Sequence, residues 1–106
     1  MLAFAGLAGA CATLDGGAAG AGGAAKFGLE IADHACAGCH AIGLAGDSPA
    51  MAAPAFRDLR VRYNQLSFQR RMEEIAEGGH NAMPPLQLDP GEVRNLAAYI
   101  ESLAGN

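Results

Sequence analysis

The most constraining feature of this 106-residue chain is the run Cys36-Ala37-Gly38-Cys39-His40. Positions i, i+3 and i+4 lie on one face of a helical turn, so the two thiols and the imidazole can point at a common partner. This spacing is typical of covalent haem attachment, in which two thioether bonds hold the porphyrin and the histidine is an axial iron ligand. The motif therefore predicts Cys36 and Cys39 as attachment residues and His40 as a metal ligand.

Three other interpretations start from the same motif. A thioredoxin-like redox pair requires a βαβ context, and no strand-like alternation surrounds these residues. A structural zinc site could use both cysteines and one or two of the three histidines, but the sequence offers no second ligand pair at similar spacing. The last alternative is a chance match on an ordinary helix, or a structural disulfide.

The N-terminal segment differs in character from the rest of the chain. Residues 1–10 are apolar and uncharged, too few to span a bilayer but suited to the h-region of a secretory signal. Leu7-Ala8-Gly9-Ala10-Cys11 resembles a bacterial lipobox with its aliphatic residue one position early, and Ala8-Gly9-Ala10 equally suits ordinary cleavage. No cation precedes Lys26, so the segment is either the inner part of a longer signal or an unusual signal without a charged n-region. We predict a periplasmic protein, with a membrane tether if Cys11 is lipidated; a plain apolar tail is the alternative.

Composition divides the remainder into a linker and one domain. Residues 11–25 are rich in glycine and alanine, which predicts a flexible linker. Residues 26–106 form one small domain, and a domain of this size usually needs a staple such as a metal, disulfides or a large cofactor. A covalent haem would be that staple. With a formal net charge of −4, we expect no nucleic-acid partner.

Apolar periodicity predicts an all-α domain of three or four short helices. The first runs from about Lys26 into the motif, with a stripe of Phe27 and Ile31 flanked by Leu29 and Ala32. The last has a capping box, followed by an apolar face that we expect to pack on the first helix. The box is Asp89-Pro90-Gly91-Glu92, and the face is Val93, Leu96, Ala97, Ile100 and Leu103.

Two further helices are predicted in the middle of the domain. One begins at Pro54, a residue favoured at the first helical position. Its apolar side would consist of Phe56, Leu59 and Tyr63. The other covers roughly residues 65–77 and ends at Gly78-Gly79. Its apolar residues are Phe68, Met72, Ile75 and Ala76.

Met83 is the second residue with predicted chemistry. Gly78-Gly79 ends a helix before it and Pro84-Pro85 prevents another from starting, so Met83 lies on an extended loop. From there its thioether could bind iron opposite His40. The alternatives are a packing role for Met83 or ligation by His80 instead. The other two candidate methionines, Met51 and Met72, are predicted to pack.

In order along the chain, these pieces resemble the class I cytochrome c family, in its small bacterial single-haem form. The resemblance covers about residues 26–104. It rests on an N-terminal helix that leads into Cys36-Ala37-Gly38-Cys39-His40, on Ala53-Pro54, on Met83-Pro84-Pro85 and on Leu96-Ala97-Ala98-Tyr99-Ile100. It implies a cytochrome c fold wrapped around one covalently attached haem c.

The resemblance also implies residue roles. His40 would bind iron through Nε2 and donate its Nδ1–H to the carbonyl of Pro54. Tyr99 and Phe27 would lie where the terminal helices cross. Further haem-pocket candidates are Pro54, Arg60, Arg62 and Tyr63.

The function that follows is electron transfer between redox-protein donors and acceptors, not enzymatic catalysis. With His40 and Met83 both on the iron, no coordination position is left for a substrate. One alternative is a haem subunit of a larger dehydrogenase or oxidase, and another is a ligand-binding sensor with a labile Met83. The arginine cluster in residues 57–71 is interpreted as a solvated face with ion pairs, or as a docking or propionate-binding patch.

Overall fold

Residues 22–103 are described by the structure, a computed structural model. Within this range the chain is all-helical, which confirms the predicted fold class. The four helices are α1 over residues 22–35, α2 over Phe56–Arg62, α3 over Gln65–Gly78 and α4 over Pro90–Ser102. The predicted signal, Cys11 and linker residues 11–21 lie outside the described residues. Among the described helices, none has the length and apolar character needed to cross a bilayer.

α1 differs from its prediction at its start. Residues 22–25, which composition assigns to the linker, are already helical. Once a helix is fixed by packing, each further residue adds a hydrogen bond at small cost, and alanine favours this extension most. The helical part of the domain therefore begins before Lys26.

The predicted apolar stripe of α1 is wrong for Phe27 and Leu29, but it is confirmed for Ile31 and Ala32, which pack in the core. Phe27 is 54% exposed and Leu29 41%, whereas Ala32 is fully buried. Gly28 is buried as well. A Cβ added at Gly28 would lie 2.0 Å from the Asn95 carbonyl oxygen on α4. The helices therefore cross backbone against backbone, with Gly28 and not Phe27 against Asn95 and Tyr99 of α4, so the position predicted for Tyr99 is confirmed.

α4 forms as the sequence predicts. The Asp89 carboxylate accepts from the Glu92 N–H at 2.7 Å, and the Glu92 carboxylate accepts from the Asp89 N–H at 2.9 Å. This reciprocal box satisfies two N–H groups that the first turn leaves without helical partners. The predicted face turns inward, with buried residues Val93, Leu96, Ala97 and Ile100.

α2 begins later than predicted. Its N-cap is Ala55, which is extended, and its first residue is Phe56. Pro54 lies outside the helix, where its carbonyl is used by His40. The predicted face is confirmed in that Phe56 is buried, with Leu59 and Tyr63 packed against the core.

α3 agrees with its prediction and has a cap that the prediction lacked. The Asn64 and Ser67 side chains form a reciprocal capping box at its start. At its end Gly79 adopts φ 74°, a left-handed value that glycine adopts without strain. Phe68, Met72 and Ile75 are buried, so the packing role predicted for Met72 is confirmed.

One apolar core joins all four helices. Its buried members are Ala32, Cys36, Phe56, Phe68, Met72, Ile75, Val93, Leu96, Ala97 and Ile100. Between α1 and α2, the loop 41–55 folds back on the cysteine motif. The N–H of Ala50 donates to the Cys39 carbonyl at 3.0 Å, and that of Phe56 donates to the Ala41 carbonyl at 2.9 Å.

Met51 lies on this loop and is 99% exposed. The prediction that it packs is wrong. The Ala50 N–H donates to the Cys39 carbonyl, and in the turn that follows the Met51 side chain points into solvent.

Candidate functional site

The cysteine motif continues α1 as an irregular helical turn. The N–H of Cys36 donates to the Ala32 carbonyl at 2.9 Å, and the N–H of His40 donates to the Cys36 carbonyl at 2.9 Å. The second of these is a four-residue, helix-type bond, so the two ends of the motif lie one turn apart. Local helical geometry thus supplies the spacing on which the sequence prediction depended.

The two thiols lie in different surroundings. Cys36 is 6% exposed within the core, while Cys39 is exposed, and neither is in a disulfide. Burial raises the pKa of the Cys36 thiol to about 11. A redox or zinc-binding cysteine needs the opposite shift, toward the thiolate. Among the described residues, no group of three or more His, Cys, Asp or Glu side chains could hold a metal ion. The raised pKa counts against the thioredoxin-like interpretation, and the lack of a metal-binding group among the described residues counts against the zinc interpretation.

His40 is half-buried and held by one specific hydrogen bond. Its Nδ1 lies 2.7 Å from the Pro54 carbonyl oxygen, which can only accept, so Nδ1 carries the proton. The ring also packs on Phe56, with centroids 5.4 Å apart. With Nδ1 donating, Nε2 has its lone pair available for a metal. The hydrogen bond that the resemblance implied is confirmed.

Met83 is half-buried and closes a tight backbone turn. The N–H of His80 donates to the Met83 carbonyl and the N–H of Met83 donates to the His80 carbonyl, both at 2.8 Å. Asn81 takes φ 53° inside the turn, a left-handed conformation that asparagine tolerates better than most residues. A Cβ added at Gly79 would lie 2.6 Å from the Met83 carbonyl oxygen, so this turn also requires glycine there.

The structure brings His40 and Met83 to the same core. Phe56, which contacts the His40 ring, is a member of the core against which Met83 packs. His80, by contrast, is exposed, and its Nε2 lies 3.3 Å from the Asn81 side-chain amide. Met83 is therefore the better placed of the two candidates for a second ligand.

The other pocket candidates lie toward α3 and α4. Arg60 and Arg62 are exposed. Tyr63 packs edge-on against Phe68, and its hydroxyl accepts from Arg71 Nε at 3.3 Å. The hydrogen bond with Tyr63 raises the pKa of Arg71, and the nearby Glu74 carboxylate raises it further. Arg60 and Tyr63 line a cavity of about 10 Å³, room for one water molecule. Their role as haem-pocket residues stays a prediction.

Sequence reasoning missed the role of Arg57. Its Nη2 donates to the Gly46 carbonyl at 2.9 Å, which fastens the loop after the motif to α2. Its Nη1 is buried and has no hydrogen-bond partner among the described residues. The sequence showed Arg57 only as one of five clustered arginines, because its long-range partner is a backbone carbonyl that leaves no sequence signal. The Arg71–Glu74 ion pair, at 3.0 Å, agrees with the solvated-face interpretation of that cluster.

Comparison with known protein families places this geometry in context. Residues 23–100 match the family described as cytochrome c oxidase, cbb3-type, subunit III. The chain belongs to this family. Because it is a family of class I single-haem c-type cytochromes, the resemblance seen in the sequence is confirmed, and the domain is a cytochrome c domain with a haem c cofactor and a role in haem-based electron transfer. The comparisons with curated proteins and with solved structures gave no match.

The residues of this cytochrome c domain fit a haem c. The donor set consists of two unpaired thiols at the attachment spacing, an imidazole whose Nδ1 is already protonated, and a neutral thioether on a fixed turn. An imidazole and a thioether are ligands that c-type haem iron accepts. Covalent attachment at the buried Cys36 would also remove its thiol hydrogen from the apolar core.

Proposed function

We propose that this cytochrome c domain carries single electrons through one covalently bound haem c. Cys36 and Cys39 would hold the haem through two thioether bonds, and His40 and Met83 would be its iron ligands. When bound, the haem supplies one-electron Fe(II)/Fe(III) chemistry, and the thioether ligand favours Fe(II) and so raises the potential.

The observation that carries the proposal is the hydrogen bond from His40 Nδ1 to the Pro54 carbonyl, at 2.7 Å. It fixes the tautomer and limits rotation of the ring, which is what a permanent axial ligand needs. A histidine that only filled the core would not require a protonated Nδ1 and an unengaged Nε2. The backbone-locked turn at Met83 supports a second permanent ligand in the same way.

We infer a carrier and not a catalyst from the same two residues. If His40 and Met83 both stay on the iron, no coordination position is open to a substrate. A rigid turn at Met83 and a fixed ring at His40 would also keep the same two ligands in both oxidation states. The structural change that accompanies electron transfer would then be small. Electron transfer through a haem held in this way would need no bond making or breaking.

Carbon monoxide binding to the ferrous protein tests the ligand assignment. We expect the wild-type protein to resist carbon monoxide at neutral pH, and Met83→Ala to bind it fully, because the substitution removes the thioether. Met51→Ala is the matched control, since Met51 is a solvent-exposed methionine on a loop next to the motif. It should behave as the wild type does.

Three results would count against the proposal. Rapid and complete binding by the wild-type protein would assign the domain to ligand-binding haem sensors. Resistance that persists in Met83→Ala and disappears in His80→Ala would instead assign the second ligand to His80. A haem that acid-acetone extracts from the wild-type protein would exclude covalent attachment.

A second candidate function is that of a haem subunit within a larger oxidase. The description of the matching family, subunit III of a cbb3-type oxidase, favours it. Such a subunit would pass electrons within an assembly instead of diffusing between partners. Purification from native membranes in mild salt tests this: co-elution with oxidase subunits supports the subunit role, and elution as a single chain supports the shuttle.

We further propose a periplasmic location, with a membrane tether if Cys11 is lipidated. Support comes from the apolar residues 1–10, the small residues before Cys11 and the covalent haem, whose attachment in bacteria is associated with the periplasmic side. Intact mass of the native protein decides among the forms, since signal cleavage, lipid and haem each change the mass separately.

A further inference from the structure

The segment between α3 and α4, residues 79–89, is held to the domain at three places. At its start is the His80–Met83 turn, with two backbone hydrogen bonds. At its end is the capping box of Asp89 and Glu92. Between them, the side chain of Gln87 reaches back to α3, where its Nε2 donates to the Ala76 carbonyl at 2.8 Å. The turn and the capping box are common features of turns and helix starts, so the contact from Gln87 to α3 requires an explanation.

The Ala76 carbonyl lacks its usual helical partner. In a continued α-helix it would accept from the N–H four residues on, that of His80. Here the His80 N–H donates to the Met83 carbonyl instead. The preceding carbonyl, that of Ile75, still accepts from the Gly79 N–H at 2.8 Å, so the helical pattern stops at this residue. Gln87 supplies the donor that Ala76 has lost.

The same donors and acceptors allow two arrangements. In the observed one, Gln87 occupies the Ala76 carbonyl and His80 pairs with Met83. In the other, the His80 N–H returns to Ala76, α3 grows by a residue, and the turn at Met83 opens. Gly79 can follow either path because glycine adopts both signs of φ at little cost.

We propose that Gln87 is a positioning residue for Met83. By occupying the Ala76 carbonyl, it keeps the His80 N–H paired with Met83 and so sets how readily the Met83 thioether leaves the iron. This inference rests on the proposed coordination by Met83. Leu86 and Leu88 pack on the core on either side of Gln87, which holds its backbone close to the end of α3.

Competition by imidazole for the ferric iron measures how readily Met83 leaves. Gln87→Glu keeps the shape of the side chain but places a carboxylate oxygen against the carbonyl, and Gln87→Ala removes the contact. Both should bind imidazole about fivefold more tightly than the wild type, the effect of one ordinary hydrogen bond on an equilibrium. Both should also lose the thioether-to-iron charge-transfer band at lower imidazole concentrations. Gln87→Lys retains a donor, and a cation suits the C-terminal end of α3, so it should match the wild type.

Amide hydrogen exchange gives a readout that does not depend on ligand binding. The His80 and Met83 amide protons should exchange faster in Gln87→Glu than in the wild type, while those of α4 stay unchanged. Ser67→Ala is the matched control, because it breaks the capping box at the opposite end of α3 and leaves the segment 79–89 untouched. It should lower stability without a change in imidazole affinity.

The outcomes separate this inference from the proposed function. Wild-type affinities and exchange rates in Gln87→Glu and Gln87→Ala would overturn the positioning role alone. An equal shift in Ser67→Ala would assign the effect to general destabilisation and would also overturn it. A wild-type protein that shows no thioether band and binds imidazole without competition would overturn coordination by Met83, and with it both proposals.

Discussion

Tyr99 joins the last helix to the segment just after the cysteine motif. Its hydroxyl donates to the carbonyl of Ile42, a residue 57 positions earlier in the chain. Burial raises the pKa of Tyr99 above its ordinary value of 10.0, because the phenolate would be poorly solvated there. The hydroxyl thus links two distant segments only in its protonated form, since the phenolate has no hydrogen to donate.

Stability should depend on pH through this residue. A pKa raised on folding stabilises the protein below the unfolded-state pKa, and that contribution is lost as pH rises through the folded-state value. Tyr99→Phe should therefore cost about 1 kcal/mol near neutral pH, the usual value of a hydrogen bond. The difference from the wild type should shrink above about pH 10. Urea unfolding from neutral to strongly alkaline pH measures it, and a constant difference would contradict the assignment.

Single residues also show what a sequence can predict. The His40–Pro54 hydrogen bond followed from a motif with a known geometry, because both partners lie at positions that the resemblance fixes. The exposure of Met51 could not be predicted from the sequence, because it depends on the direction that the chain takes in the turn after Ala50. The partner of Arg57 was equally hidden, because any loop carbonyl could have accepted from it.

Among the helices, the crossing of α1 and α4 depends on Gly28. A Cβ added at Gly28 would lie 2.0 Å from the Asn95 carbonyl oxygen and 2.7 Å from the Tyr99 Cβ, too close for either atom. Backbone atoms cannot rotate away as a flexible side chain can, so any larger residue must separate the two helices.

Gly28→Ala should destabilise the domain by about 3 kcal/mol, the upper part of the usual range for overpacking. The opposite effect is expected at Gly23 on the same helix, where an added Cβ would meet nothing within 4 Å. Gly23→Ala should be neutral or stabilising by up to about 1 kcal/mol from helix propensity. Thermal unfolding of the two variants beside the wild type tests the contrast, and equal stabilities would show that the helices can shift without cost.

Helix prediction succeeded where the signals are local. The start of α4 is encoded within Asp89-Pro90-Gly91-Glu92, and the structure reproduces it. The face of α1 is not a local property. Its large apolar residues predicted a stripe through Phe27. The close approach of the α4 backbone instead requires a small residue, Gly28, at the crossing. The sequence of α1 does not show where another helix will approach it.

At the scale of the whole domain, the apolar core is small relative to the length of the chain. Among residues 22–103, its buried members include only two aromatic side chains, Phe56 and Phe68. A domain of this size seldom gains enough from such a core to fold without additional links. The covalent haem would supply the missing apolar surface, and Cys36 within the core would place it there.

Loss of the thioether bonds should therefore unfold the domain. The double variant Cys36→Ser/Cys39→Ser is expected to lose covalent haem and most of its helical circular dichroism signal. Cys11→Ser is the matched control, since Cys11 lies outside the matched residues 23–100. It should keep both haem and helicity. Native helicity in a haem-free double variant would show that the polypeptide alone is sufficient.

The full exposure of Met51 also has a chemical consequence. A peroxide reaches its thioether directly, whereas that of Met72 lies within the core. The sulfoxide formed at Met51 would remain solvated and leave packing intact, but at Met72 it would place a polar oxygen among apolar side chains. Oxidative damage to this protein should thus begin at a position where the fold tolerates it.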